Sequence, residues 1–182
     1  QDRGNPLAAS STLNRLELST PECAPADRYK KIAADPDAFD RLLVDLFIES
    51  QRKPPRELWL DLDATDDPLH GHQEGRFFHG YYRCYCYLPL YIFCGEHLLC
   101  ARLRPSNQDA SAGSVDELER IVGQIRARWP KTRIVIRGDA GFCREAIMAW
   151  CEANQVRYVL GLARNKRLQR ALGKEMEAAR AA

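Results

Sequence analysis

The stretch RELWLDLDATDD, Arg56 to Asp67, constrains the fold more than any other part of this chain. Read as a β-strand it alternates without a break. Leu58, Leu60 and Leu62 fall on one face, and Trp59, Asp61 and Asp63 on the other. The leucine face needs a core to lie on. The opposite face carries carboxylates, which are costly to bury unless they meet a cation or hold a proton. A second acidic signal closes a later apolar run, RIVIRGDAGF, where Asp139 follows Gly138 and precedes Gly141. A fold that sets these two runs side by side gathers Asp63 and Asp139 at one end of a sheet.

The rest of the chain supplies the elements for such a sheet. Residues 1–26 are rich in Pro, Ser, Ala and Asn and read as an extended arm, with TLNRLEL as a short helical turn. PDAFDRLLVDLFIES (36–50) is an amphipathic helix, with Pro36 in its first turn. Its apolar positions Phe39, Leu42, Leu43, Leu46 and Phe47 recur at helical spacing. KPP at 53–55 stops it. After the acidic strand, DDPLHGHQEG (66–75) is a polar loop in which Asp66 and Asp67 read as turn formers. GYYRCYCYLPLYIFCG (80–95) reads as one long half-buried strand, and HLLCARLRP (97–105) returns beside it after a turn at Gly95-Glu96. Ser114 and Glu117 have the spacing of a capping box for a helix through Leu118, Ile121, Val122, Ile125 and Trp129, ended by Pro130. A strand over 132–138, a helix over about 144–154, a strand over 157–163 and a basic helix from Arg167 follow.

This order, β-β-β-α-β-α-β-α, predicts an α/β fold. An antiparallel three-strand meander and parallel strands added by right-handed crossovers form one mixed sheet, with helices on its faces. The strand holding Asp63 should then run parallel beside the strand ending at Asp139. Residues 1–55 read as an N-terminal arm and helix, and 56–182 as the catalytic domain.

Composition neither demands nor excludes nucleic acid: of 182 residues 29% are charged, yet the formal net charge is +2. No apolar run is long enough to span a bilayer. The chain begins at Gln1 without an initiator Met and reads as a piece of a longer protein. Seven cysteines, without a C-x-x-C pair, read as buried reduced thiols rather than a zinc site. His70 and His72, in the polar loop, lack the Cys or Asp spacing of a zinc site.

A carboxylate in the middle of one strand and another at the end of its parallel neighbour suit phosphodiester chemistry. That chemistry needs charge neutralised on both the attacking and the leaving oxygen, which two metal ions about 3.5–4 Å apart accomplish together. Magnesium takes oxygen ligands and keeps several waters, so few carboxylates suffice. Asp61, on the face of Asp63, is a candidate supporting carboxylate. Arg102, Arg104, Arg164, Lys166 and Arg167 are candidate contacts to DNA phosphates.

LDLDATDDPLHG, FFHGYYRCYCYLPLYIF, ARLRPSN and IRGDAGFCR, in that order, resemble the DDE transposases of bacterial insertion sequences, specifically the group 1 DDE-domain type. The resemblance runs over nearly the whole chain, the TLNRLE arm included. It implies a ribonuclease-H-like fold, cut-and-paste transposition with magnesium or manganese in a two-metal site, and DNA as partner. It also implies a homodimer in the synaptic complex and a bacterial, cytoplasmic, nucleoid-associated enzyme with no membrane part. It places the first catalytic aspartate at Asp63 and the second at Asp139. The third acid of the family, a glutamate on a later helix, has no matching motif; Glu175 and Glu177 lie in an unspecific context, and the third acid is expected beyond residue 182. Two other readings compete. Asp61-Leu62-Asp63-Ala64-Thr65 also satisfies the D-x-D-x-T pattern of haloacid-dehalogenase-type phosphatases, with Asp61 as nucleophile, but Cys143 stands where their later motif wants an acid. An inactive transposase remnant that only binds DNA is the non-enzymatic alternative.

Overall fold

The computed structural model describes residues 35–163 and 165–181. The expected arm over 1–26, Cys23 and Arg164 lie outside the described residues. The chain divides into two compact units, Gln1–Leu42 and Leu43–Ala182. Helix α1 (Pro36–Ser50) crosses that boundary, with Leu43–Ser50 in the second unit; Asp35 opens it, its carboxylate accepting the Ala38 N–H at 3.0 Å, and Pro36 occupies the first helical position.

In the second unit the strands are β1 (Glu57–Ala64), β2 (Asp67–Pro68), β3 (Phe77–His79), β4 (Cys84–Tyr87), β5 (Leu90–Cys94), β6 (His97–Arg102), β7 (Arg133–Gly138) and β8 (Arg157–Leu160). The helices are α2 (Ser114–Arg128), α3 (Glu145–Ala153), α4 (Lys166–Ala171) and α5 (Gly173–Ala181). The main sheet has the order β6-β5-β1-β7-β8. β1 pairs antiparallel with β5 and parallel with β7, which pairs parallel with β8. This is the expected mixed sheet, half meander and half crossover. β1 alternates as its sequence requires: Leu58, Leu60 and Leu62 are buried, while Trp59 and Asp63 are exposed. The leucines join a core with Ile134, Ile136, Ile121, Ile125 and Ile147 from β7, α2 and α3. Burying one such side chain contributes about 1.5–3 kcal/mol.

Four expectations are corrected. Residues 80–95 do not form one strand. β5 belongs to the main sheet, whereas β4 sits in a separate three-stranded sheet of order β2-β4-β3. The break falls at Leu88-Pro89, where proline has no N–H for a ladder. The capping box at Ser114 does not form. The cap is Gly113 in the left-handed region at φ 72°, with no side-chain cap bond. Glu117 is instead drawn into the protein by Arg102 from β6 and Arg120 one turn on, at 2.9 Å from Arg120. In α1 the buried face is Val44 and Phe47, and Phe47 packs edge-on against Trp129 and His97. Phe39, Leu42 and Leu46, from the expected core stripe, are exposed. The expected basic C-terminal helix is present as two pieces, α4 and α5, with a break at Leu172.

The six described cysteines are free thiols, and Cys86, Cys94, Cys100 and Cys151 are buried. Burial pushes the Cys94 and Cys151 thiols up to about 11 and that of Cys100 to about 12, so they are inert core groups.

Candidate active site at the ends of two parallel strands

Leu62 and Gly138 are the last partners in the β1–β7 ladder. The next residue on each strand is an aspartate, Asp63 and Asp139, and both are exposed. Neither makes an ion pair with a described residue. Asp139 is held by a local turn: its Oδ1 accepts the Gly141 N–H at 2.8 Å. It does not cap α3, whose N-cap is Arg144.

A residue that the sequence did not mark lies at the same end. The hairpin between β3 and β4 brings Tyr82 back over β1, where its hydroxyl donates to the Ala64 carbonyl at 3.4 Å. Burial raises the Tyr82 phenol above its ordinary value, and the charges of Asp66, Tyr81, Asp63 and Asp139 add to the rise. One phenol therefore feels all three carboxylates. Asp66, expected only to form a turn, also lies 4.0 Å from the Cys84 sulfur.

Asp61 stands apart from this group. Arg137, its partner across the ladder, donates to both oxygens at 2.6 and 2.8 Å and lies 5.7 Å from the centre of the Trp59 ring. A nucleophilic carboxylate would have to be free of such a clamp.

The loop after β7 is braced from two sides. Gly161, just past β8, donates its N–H to the Gly138 carbonyl at 2.9 Å. A Cβ at Gly161 would meet the Ala140 nitrogen at 3.0 Å and the Asp139 carbonyl carbon at 3.1 Å. Backbone cannot step aside as a flexible side chain can. Gly161→Ala is therefore expected to cost about 1–3 kcal/mol by overpacking. It should also slow any reaction at Asp139 about a hundredfold, the effect of a roughly 1 Å misplacement. Thermal melting and single-turnover rates check this. Gly123→Ala on exposed α2 is the contrast: nothing lies within 4 Å, and stability should rise by about 1 kcal/mol.

From the other side, Arg144 donates to the Ala140 carbonyl at 3.3 Å and pairs with Asp109 at 2.8 Å. The Arg144 hydrogen bond, with help from Ser111, pulls the Asp109 carboxyl down to about 2. A depressed carboxylate stabilises above its ordinary pKa, and that contribution disappears as pH falls through the folded value. The melting-temperature difference between wild type and Arg144→Gln should thus be constant from about pH 5 upward and shrink from pH 4 towards 2. Both groups are partly exposed, so the difference is small.

The cations expected on DNA are not equivalent. Arg104 is buried and spends its guanidinium on the carbonyls of Leu88, Ala112 and Ala110 at 2.9, 2.5 and 3.0 Å. It is a structural clamp and not a phosphate contact. Arg102 is paired with Glu117. Lys166 and Arg167 are exposed at the start of α4. Arg76 donates to the His72 Nδ1 at 2.8 Å within the same loop.

The family implies divalent metal. Asp63 and Asp139 fit a hard cation in kind, being exposed oxygen donors without a basic partner. Among the described residues no three His, Cys, Asp or Glu side chains are grouped closely enough to form a cage by themselves.

A mixed sheet that brings an exposed aspartate to the same end of two adjacent parallel strands can offer oxygen donors to a hard cation. The sequence matches the family "Transposase DDE domain group 1" over residues 1–182, and the chain belongs to that family. It is a transposase domain, and the phosphatase reading is not favoured. No curated protein matches its sequence. Among solved structures it is similar to the catalytic domain of Mos1 mariner transposase, at 12% identity and TM-score 0.41, covering 79% of this chain and 69% of that one. It is also similar to the Mos1 transposase paired-end complex with left transposon end, at 10% identity and TM-score 0.37, covering 66% of this chain and 39% of that one. For the piggyBac transposase synaptic complex with hairpin DNA the values are 16% and 0.40, covering 70% of this chain and 28% of that one. The chain thus spans well under half of the latter two. Among the described residues no helix is long and apolar enough to cross a membrane.

Proposed function

We propose that residues 56–182 are the catalytic core of a cut-and-paste transposase of a bacterial insertion sequence, with residues 1–55 as an arm and helix before it. Asp63 and Asp139 act as its first two acids. The observation that carries this reading is their position: consecutive to the last ladder pair of two parallel strands, exposed, and without an ion pair among the described residues. Magnesium or manganese bound there would neutralise charge on the attacking and leaving oxygens of a DNA phosphodiester. The protein's part is to hold the two carboxylates. The β1–β7 ladder sets their spacing, the Gly141 N–H orients Asp139, and Gly161 fixes the backbone beneath it. Asp61 supports the site indirectly, by keeping Arg137 folded against Trp59 and away from the free acids.

DNA, at transposon ends and target, is the partner in this reading. Lys166 and Arg167 are available for phosphates, and a homodimer in the bacterial cytoplasm, at the nucleoid, is the working assembly. The test is cleavage of transposon-end DNA by the open reading frame that carries this domain, with manganese and then with chelator. Nicks that need metal support the proposal. Metal-independent binding without any cleavage would identify a remnant that only binds DNA.

A further inference from the structure

The β3–β4 hairpin tip, Gly80-Tyr81-Tyr82-Arg83, is the part of the second unit that reaches the acidic end of the main sheet. Tyr82 anchors it there: the phenol reaches the Ala64 carbonyl, directly after Asp63, and the ring packs on His79 with centroids 4.9 Å apart. Tyr81 stands on Tyr82 edge to face, at 5.0 Å and 87°, and is 84% exposed, so its own ring faces are open. Arg83 is exposed, and among the described residues its guanidinium makes no hydrogen bond or ion pair. Its backbone is in the left-handed region at φ 57°, closed by the Arg83 N–H donating to the His79 carbonyl at 2.8 Å. Glycine would take that conformation without steric cost. A strained arginine at the mouth of a site points to use of its side chain.

We propose that this tip is a clamp for one unpaired nucleotide of a DNA end: Tyr81 stacks on the base, Arg83 pairs with its phosphate, and Tyr82 fixes both relative to Asp63. The inference rests on the transposase reading and names the feature of the DNA that the site takes. An open aromatic face accepts any base, but only one freed from its pair presents its own face, so the tip selects frayed or overhanging ends over continuous duplex. The charge pattern agrees. A phosphate brought beside carboxylates needs a cation next to it, and Arg83 supplies one on the hairpin that reaches the Ala64 carbonyl next to Asp63.

The test uses the 182-residue chain in chelator, where cleavage does not intervene. Two probes are compared, a blunt duplex and the same duplex with a two-nucleotide overhang carrying 2-aminopurine. The wild type should bind the overhang about tenfold more tightly and quench its fluorescence. Tyr81→Ala should lose both effects, and Tyr81→Phe should keep them. Arg83→Gln should weaken the overhang probe more than the blunt duplex and lower the overhang's slope of log affinity against log salt by about one. Equal binding of the two probes by wild type, or an overhang preference that survives Tyr81→Ala, overturns the clamp. The catalytic reading fails separately. If the metal-supplied open reading frame never cleaves while the Tyr81-dependent preference persists, the clamp stands and the proposed reaction does not.

Discussion

Asp63→Asn and Asp139→Asn are each expected to remove metal-dependent cleavage of transposon-end DNA, by about a hundred- to a thousandfold or more, while the fold stands. The size follows from the loss of one preorganised electrostatic contact at a developing charge. The fold survives because both side chains are exposed and, among the described residues, neither makes an ion pair. Without metal, the variants should melt close to the wild-type temperature, because each change keeps the shape of an exposed side chain. With millimolar manganese the wild type should melt higher, since only it gains from ligand binding, and that gain grows as the logarithm of metal concentration over the dissociation constant. Asp61→Asn is the control. It breaks a partly exposed pair with Arg137, so it should cost under about 1 kcal/mol and change the cleavage rate only a few-fold. Near-normal cleavage by Asp139→Asn would show that the carboxylate was wrongly chosen. Loss of activity in Asp61→Asn alone, with a phosphorylated aspartate trapped there in the wild type, would return the phosphatase reading.

Arg104→Ala should be the most destabilising single change outside the apolar core, at about 3–5 kcal/mol, the cost of breaking a buried charged network. Its three bonded nitrogens satisfy carbonyls on two separate segments, Leu88 on one side and Ala110 and Ala112 on the other. Its own carbonyl accepts the Leu88 N–H at 2.8 Å, so Arg104 and Leu88 are tied reciprocally. Leu88 is the hinge between the small sheet and β5, and Ala110 and Ala112 flank Ser111 in the loop that carries Asp109 to Arg144. Removing the guanidinium orphans three carbonyls and loosens that loop behind Asp139. Arg104→Lys should rescue little, because a single ammonium cannot span a planar fork of donors. Denaturant unfolding gives the stability. A loss under about 1 kcal/mol would mean that water replaces the guanidinium without cost.

The sequence by itself determined the main sheet and the pair of aspartates. β1 and β7 are legible because their signals are local: a period of two in β1, and in β7 an apolar run closed by glycine and aspartate. Helices α2 and α3 were legible for the same reason. The split at Leu88-Pro89 had a signal too, a proline inside an apolar run, which a reading of continuous aromatic character passes over. What only the tertiary structure decided depends on segments distant in sequence. Glu117 reads as half of a capping box but turns to Arg102 and Arg120, two cations that only the fold brings to it. α1 is apolar on more than one side, and nothing local says whether Phe39, Leu42 and Leu46 or Val44 and Phe47 meet a core. Arg104 looks like Arg102 in sequence, yet one is buried among carbonyls and the other partly exposed. Tyr82 and Gly161 matter only through what the fold lays against them, the end of β1 and the backbone of Asp139. Periodicity records which face of an element is apolar; which partner that face or side chain meets is set by packing across the whole chain.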